Sequence, residues 1–291
     1  DIGVMHPGGW ADWSASSMTE TGAPVAVIFR EGETGLEIAT EVCDPGSDPT
    51  NRVTDVCKIM QDLGADAPSA ALRDVISAAQ GDTQLRYGAR LGLRHDGETC
   101  DTILCAELPA AANDLATLML PAPIQPVLDK LGTRVRTTSL AYDAKTKDVT
   151  IYWVADGVDR TVLPALAAPA EVSNDALYRA IDGKAEATSS TGLPTQKLGF
   201  SYTARNMETP PKLKLFFSAK HMFGSDDAIE PRVRAYGGDD IKAYTNLMEI
   251  GADTPKNLVR HGLISMLADG DNAPKMGISV AAPWHCPLEV I

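Results

Sequence analysis

Lys212, Lys214 and Phe216 stand two residues apart in the run KLKLFFS. Side chains on a β-strand alternate between faces, so these three share one face and Leu213, Leu215 and Phe217 share the other. One face is wholly apolar and must pack on another element. The other sets two ammonium groups beside an aromatic ring. A strand exposed to solvent carries such a face without function. A strand lining a barrel carries it when the barrel holds an anion. The run closes residues 197–219, KLGFSYTARNMETPPKLKLFFSA, which read as a β-hairpin with its turn between Asn206 and Pro211.

Other chemistries lack their residues. The five Cys (Cys43, Cys57, Cys100, Cys105, Cys286) are odd in number and form no CxxC, so neither a disulfide framework nor a zinc site is indicated; reduced cytosolic thiols are expected. His221 and His261 read as isolated on strands, and His285 lies in PWHCP. No G-x-S-x-G, P-loop or dinucleotide fingerprint occurs. Asp226-Asp227 and Asp239-Asp240 lack the spaced third carboxylate of a DDxxD cluster. A net charge of −13 argues against a nucleic-acid surface, which needs clustered Lys and Arg, but leaves room for a local basic pocket. No apolar run approaches the roughly 18 residues that span a bilayer. The opening DIGVMHPGGWADW lacks the charged-then-apolar order of a signal peptide. It also lacks an initiator Met, which points to a chain cut short there.

The elements that must position these residues alternate along the chain. Hairpins read at 24–43, 84–108, 134–155, 197–219 and from Leu258 to about Ala282, a repeat of about 50–63 residues. Helical spacing reads at 52–63, 67–80, 161–168, 173–182 and 239–251, and over 110–131 with kinks at Pro121, Pro123 and Pro126. Strands paired through tight turns make an antiparallel sheet. Ten of them closed into a barrel would remove the sheet edges, bury one face under helices and free the inner face for polar groups. Two separate α+β sandwiches are the alternative.

This arrangement resembles the ABBA (αββα) soluble aromatic prenyltransferases of bacteria, which act in meroterpenoid and aminocoumarin pathways. The stretches that carry it are PVAVIFREGETGLEIATEVCDPGSDP, TTSLAYDAKTKDVTIYW, LGFSYTARN…KLKLFF and LVRHGLISM…KMGISV. The resemblance implies a ten-stranded antiparallel barrel ringed by helices, spanning 1–291 as one domain. It implies a cytoplasmic monomer that transfers a dimethylallyl or geranyl group from a prenyl diphosphate to an aromatic acceptor, without nucleic acid or membrane. It further implies that Lys214, Lys275, Lys145 or Lys147, Arg136 and Thr150 contact the diphosphate. Tyr152 and Tyr202 would shield the allylic cation, and Ser201, Phe200, Phe216 and Ser279 would line the acceptor site.

The chain departs from that pattern in places. Thr102 stands about where bacterial relatives carry a Lys, so Arg90 or Arg94 is expected to substitute. Glu37 aligns with a carboxylate that positions magnesium in metal-dependent members. It is expected to hold a single Mg2+, or to accept a proton or an acceptor N–H or O–H. Ser279 and Thr203, small where relatives are larger, suggest a roomy chamber. The rival function is a non-catalytic barrel that binds a small amphipathic ligand and needs no convergent cations.

Overall fold

The computed structural model describes residues 16–282, apart from 17, 34, 43–46, 82, 113–118, 121–123, 186–191, 206–207, 238–241, 251–257 and 269–273. Pro121, Pro123, Asp239, Asp240, Cys43, Cys286 and His285 lie outside the described residues.

Ten strands form a closed antiparallel barrel: β1 (Val25–Arg30), β2 (Leu36–Thr40), β3 (Ala89–His95), β4 (Cys100–Glu107), β5 (Val135–Asp143), β6 (Val149–Asp156), β7 (Lys197–Ala204), β8 (Lys212–Ser218), β9 (His261–Ala268) and β10 (Lys275–Ala281). Each strand pairs with its neighbours in sequence, and β10 closes on β1 with Ala26 opposite Ala281. Two α+β sandwiches are thereby replaced by one continuous sheet without an edge. Around it lie helices α1 (Arg52–Asp62), α2 (Ala70–Gln80), α3 (Gln125–Leu131), α4 (Leu163–Ala167), α5 (Asn174–Ala185), α6 (Ala219–Phe223), α7 (Asp226–Gly237) and α8 (Lys242–Ile250).

The alternation within each strand decides what faces where. On β6 to β8, Ile151, Trp153, Leu198, Phe200, Tyr202, Leu213, Leu215 and Phe217 are all buried in one apolar cluster that includes residues of α1 and α3 to α5. That is the outer face, and burying it under helices contributes most of the fold's hydrophobic stabilisation. A second buried cluster seats α7 and α8, through Ile229, Tyr244 and Met248, on Ile264, Ile278 and Val280 of β9 and β10.

Local chemistry starts and stops the helices. Ser69 accepts a hydrogen bond from the backbone N–H of Leu72 at the head of α2, and Ser218 does the same for His221 at the head of α6. Of the expected helical region 110–131, the described residues form a short turn at Ala110–Ala112 and α3, which carries Pro126 near its N-terminus, where a missing N–H costs nothing. Helices α6 and α7 were not expected from the sequence; His221 therefore lies on a helix rather than a strand. Before β3, Gly88 (φ +64°) runs so close to Pro49 that a Cβ would lie 1.8 Å from its carbonyl oxygen. Only glycine fits there.

Candidate active site in the barrel lumen

The inner face is read by the same parity. Tyr202 points outward, so its neighbours Ser201 and Thr203 point inward. Ser201 pairs across the sheet with Lys214 on one side and Tyr152 on the other. Phe216 follows Lys214 on the same face. Its ring lies 5.7 Å from that of Tyr152, and the Lys214 ammonium is 5.8 Å from its centroid. On β9, Leu263, Ser265 and Leu267 pair with Ser218, Phe216 and Lys214 and continue the inner wall. Leu263, opposite the last residue of β8 and so near the barrel end away from the hairpin turns, is half exposed.

Charge gathers toward the barrel end that carries the hairpin turns. Arg30 (end of β1), Glu37 (start of β2), Arg94 (end of β3), Asp143 (end of β5) and Lys214 (start of β8) share it. Arg30 Nη2 donates to Glu37 Oε2, and Arg94 Nη2 donates to the same oxygen at 3.2 Å. Arg94 Nη1 donates to Asp143 Oδ2 at 2.9 Å. Burial opposes ionisation of Glu37, but Arg30, Arg94 and Lys214 outweigh it and hold its carboxyl below the usual range. Burial also pushes the Lys214 ammonium down to about 8, helped by the positive charges of Arg30 and Arg94 and opposed by Glu37. Among the described residues Lys214 makes no ion pair within 4 Å, whereas both arginines do. Beside it the Ser201 hydroxyl is fully buried, with no hydrogen-bond partner among the described residues. A cation and a hydroxyl left unmatched in a wall are both costly unless something meets them.

The remaining sequence-predicted residues separate into groups. Thr150 and Thr203 join hydroxyls at 2.8 Å on the inner face. Lys275 begins β10 at the charged rim, on inner parity and exposed. Lys145, exposed in the β5–β6 turn, reaches the charged rim and pairs with the inner residue Asp101, the cross-strand neighbour of Arg94, at 2.8 Å, whereas Lys147 is exposed and pairs with Asp66 beyond α1 at 2.7 Å. Arg136 lies at the opposite end, exposed and paired to Asp156 at 2.5 Å, so it does not join the cluster. Ser279 Oγ accepts the Leu263 N–H at 2.7 Å and supports the β-bulge between β9 and β10.

Three expectations are corrected by strand parity. Tyr202 points away from the lumen, fully buried, its hydroxyl donating to the Leu166 carbonyl of α4 at 2.7 Å; it cannot shield a cation inside. Phe200 also points outward and stacks on Trp153 at 5.4 Å, so it cannot touch an acceptor in the lumen. Thr102 is on the outer face, buried; the inner residues of β4 are Asp101, Ile103 and Cys105. Of the two proposed substitutes, Arg94 joins the cluster. Arg90 stacks on Tyr87 at 3.8 Å and pairs with Glu41 at 3.3 Å, nearer the opposite end. Arg30 was missed by the sequence reading. Its signal is parity: Phe29 packs outward on Tyr244, which turns Arg30 inward.

Glu37 is poorly suited to magnesium. Its carboxylate is held between two guanidinium groups with a third cation nearby, and a divalent ion there would meet like charge. Among the described residues no three His, Cys, Asp or Glu side chains come together as metal ligands. None of the helices described is long and apolar enough to cross a membrane.

No protein-family model matches the chain, and no curated protein matches it. Solved structures do. The 5-dimethylallyl tryptophan synthase of Streptomyces coelicolor, in complex with DMASPP and Trp, superposes with a TM-score of 0.70 at 14% identity, covering 97% of this chain and 86% of that one. The 6-dimethylallyltryptophan synthase of Micromonospora olivasterospora, also with DMASPP and Trp, gives 0.65 at 15% identity, covering 95% and 85%. The prenyltransferase PriB, with L-tryptophan and dimethylallyl thiolodiphosphate, gives 0.70 at 15%, covering 95% and 84%.

Proposed function

The chain has the ten-stranded barrel fold of the ABBA prenyltransferases, and from that premise we propose that it is an aromatic prenyltransferase. One observation carries the reading. Lys214, without an ion-pair partner among the described residues, lies beside the Ser201 hydroxyl, likewise unmatched among them, in the field of Arg30 and Arg94 and near the Phe216 ring, which packs on Tyr152. Cations for a leaving anion and aromatic faces for a carbocation are the two demands of the chemistry. That the neighbouring structures were solved with prenyl thiodiphosphates and aromatic amino acids supports the same reading.

In this mechanism a dimethylallyl or geranyl diphosphate enters with its diphosphate toward the charged rim. Lys214, Arg30 and Arg94 bind it, with Lys275 and Thr150 as further contacts. The C1–O bond breaks and its electron pair leaves with the diphosphate. Tyr152 and Phe216 flank the allylic cation and keep water from it. An aromatic carbon of the acceptor attacks C1, and the ring then loses its proton to the departing diphosphate or to water. Glu37 is a weak base for that step, since its neighbours favour the charged carboxylate. Position on the ring follows from how the lumen holds the acceptor near the cation. The enzyme acts as one barrel domain.

The test is incubation with dimethylallyl and geranyl diphosphates against a panel of tryptophan, indole, phenol and naphthalene acceptors, read by mass spectrometry. A prenylated product lost in Lys214→Met supports the proposal. No product from any pair, together with no binding of either diphosphate, overturns it.

A further inference from the structure

The cations that the proposed function requires already hold an anion of the protein's own. Arg30 on β1 and Arg94 on β3 reach the same oxygen of Glu37 from the two strands that flank β2. Asp143 takes the second amino group of Arg94, and Glu33 takes that of Arg30 at 3.4 Å. Arg30, Arg94 and Lys214 supply three positive charges, and Glu33, Glu37 and Asp143 three negative, so the charges of this cluster balance. A diphosphate entering beside Glu37 meets a carboxylate where a purpose-built anion pocket would offer only donors.

Resting on the prenyl diphosphate reading above, we propose that Glu37 is an internal competitor for the anion site and sets its selectivity. In the unliganded barrel it orders Arg30 and Arg94. A ligand must draw at least one guanidinium away from it to be bound by all three cations. A diphosphate, with more charge and more oxygens to offer, makes that exchange. A monophosphate or sulfate offers too little to displace the carboxylate. Glu37 thus acts on the ligand through the arginines and by direct repulsion. It is a specificity residue, neither a base nor a metal ligand. The cost is weaker absolute affinity, and the gain is discrimination between diphosphate esters and commoner small anions.

The experiment is calorimetric titration of inorganic pyrophosphate and inorganic phosphate, in EDTA, into the wild-type chain, Glu37→Gln and Glu37→Asp. Glu37→Gln keeps the shape and removes the charge. It is expected to tighten pyrophosphate at least tenfold, equivalent to about 1.4 kcal/mol, and to tighten phosphate more, so that the preference narrows. Glu37→Asp draws the carboxylate back by one methylene and should show a smaller tightening, about two- to fourfold, in the same direction. If circular dichroism shows that Glu37→Gln does not fold, Glu37→Asp decides the sign. Unchanged or weaker pyrophosphate binding in the folded variants, with the wild type binding, overturns the inference alone. No pyrophosphate binding by any of the three proteins overturns the prenyl diphosphate reading as well.

Discussion

Replacing Lys214 with Met should make the protein more stable and less able to bind an anion. The ammonium is held from the usual range near 10.5 down to about 8, mainly by burial and then by Arg30 and Arg94. Each pKa unit corresponds to roughly 1.4 kcal/mol, so keeping this lysine charged in the folded state costs up to about 3 kcal/mol near neutral pH. The lowered pKa means that between about 8 and 10.5 the unfolded chain binds more protons than the folded one, and stability rises with pH across that window. Below about 8 both states are protonated and the cost is present in full. Met keeps an unbranched stem against Phe216 and removes the charge. Lys214→Met should therefore raise the unfolding free energy at pH 7 by about 1–3 kcal/mol, and the advantage should shrink by pH 10.5. That figure is net of the attraction of Glu37, which by itself favours the charged lysine. Urea unfolding of both proteins at the two pH values measures the difference. A variant destabilised by more than about 1 kcal/mol at pH 7 would refute the reasoning, because it would mean that the ammonium has a native partner that stabilises it.

Other consequences follow from the same geometry. Tyr202→Phe removes the donor to the buried Leu166 carbonyl and should cost about 1–3 kcal/mol in denaturant unfolding, while leaving diphosphate affinity unchanged. Arg136→Ala, at the opposite end in an exposed pair, should change pyrophosphate affinity less than twofold in calorimetry and stability by less than about 1 kcal/mol. Asp226 accepts from His261 Nδ1 at 2.5 Å and from the N–H groups of Arg260 and His261, and although burial opposes it, these bonds hold its pKa below the usual range. A depressed carboxyl contributes stability above its unfolded pKa and loses it as pH falls through the folded value. Asp226→Asn should thus destabilise at pH 7 and converge with the wild type in acid, as measured by thermal unfolding against pH. Gly88→Ala meets the Pro49 backbone and a positive φ, and should leave little folded protein on a circular dichroism melt.

The barrel was legible because each hairpin carries its own alternation and its own turn, both local properties of sequence. KLKLFFS divides cleanly into Lys212, Lys214 and Phe216 against Leu213, Leu215 and Phe217, and the structure keeps that division. The same rule applied to KLGFSYTA sets Leu198, Phe200 and Tyr202 on the apolar face. The resemblance, however, drew Phe200 and Tyr202 to the lumen, and a buried hydroxyl that bonds to a helix carbonyl looks in sequence like a catalytic one. What could not be read was register between strands far apart in the chain. Arg94 meets Asp143 across 49 residues and Glu37 across 57, and only closure of the sheet sets which residues face one another. The buried link from Asp226 through His261 to Tyr244 has the same origin, since α7 and α8 were needed to complete it. The lysines of the β5–β6 turn were drawn to acidic neighbours, Asp101 on β4 and Asp66 beyond α1, which no local pattern announces.

The most direct measurement of the central claim is titration of a non-hydrolysable geranyl thiodiphosphate into the wild-type chain and into Lys214→Met, in EDTA. The wild type is expected to bind at micromolar concentration, and the variant to lose at least tenfold, about 1.4 kcal/mol. Equal affinity in the two proteins, or none in either, would contradict that claim.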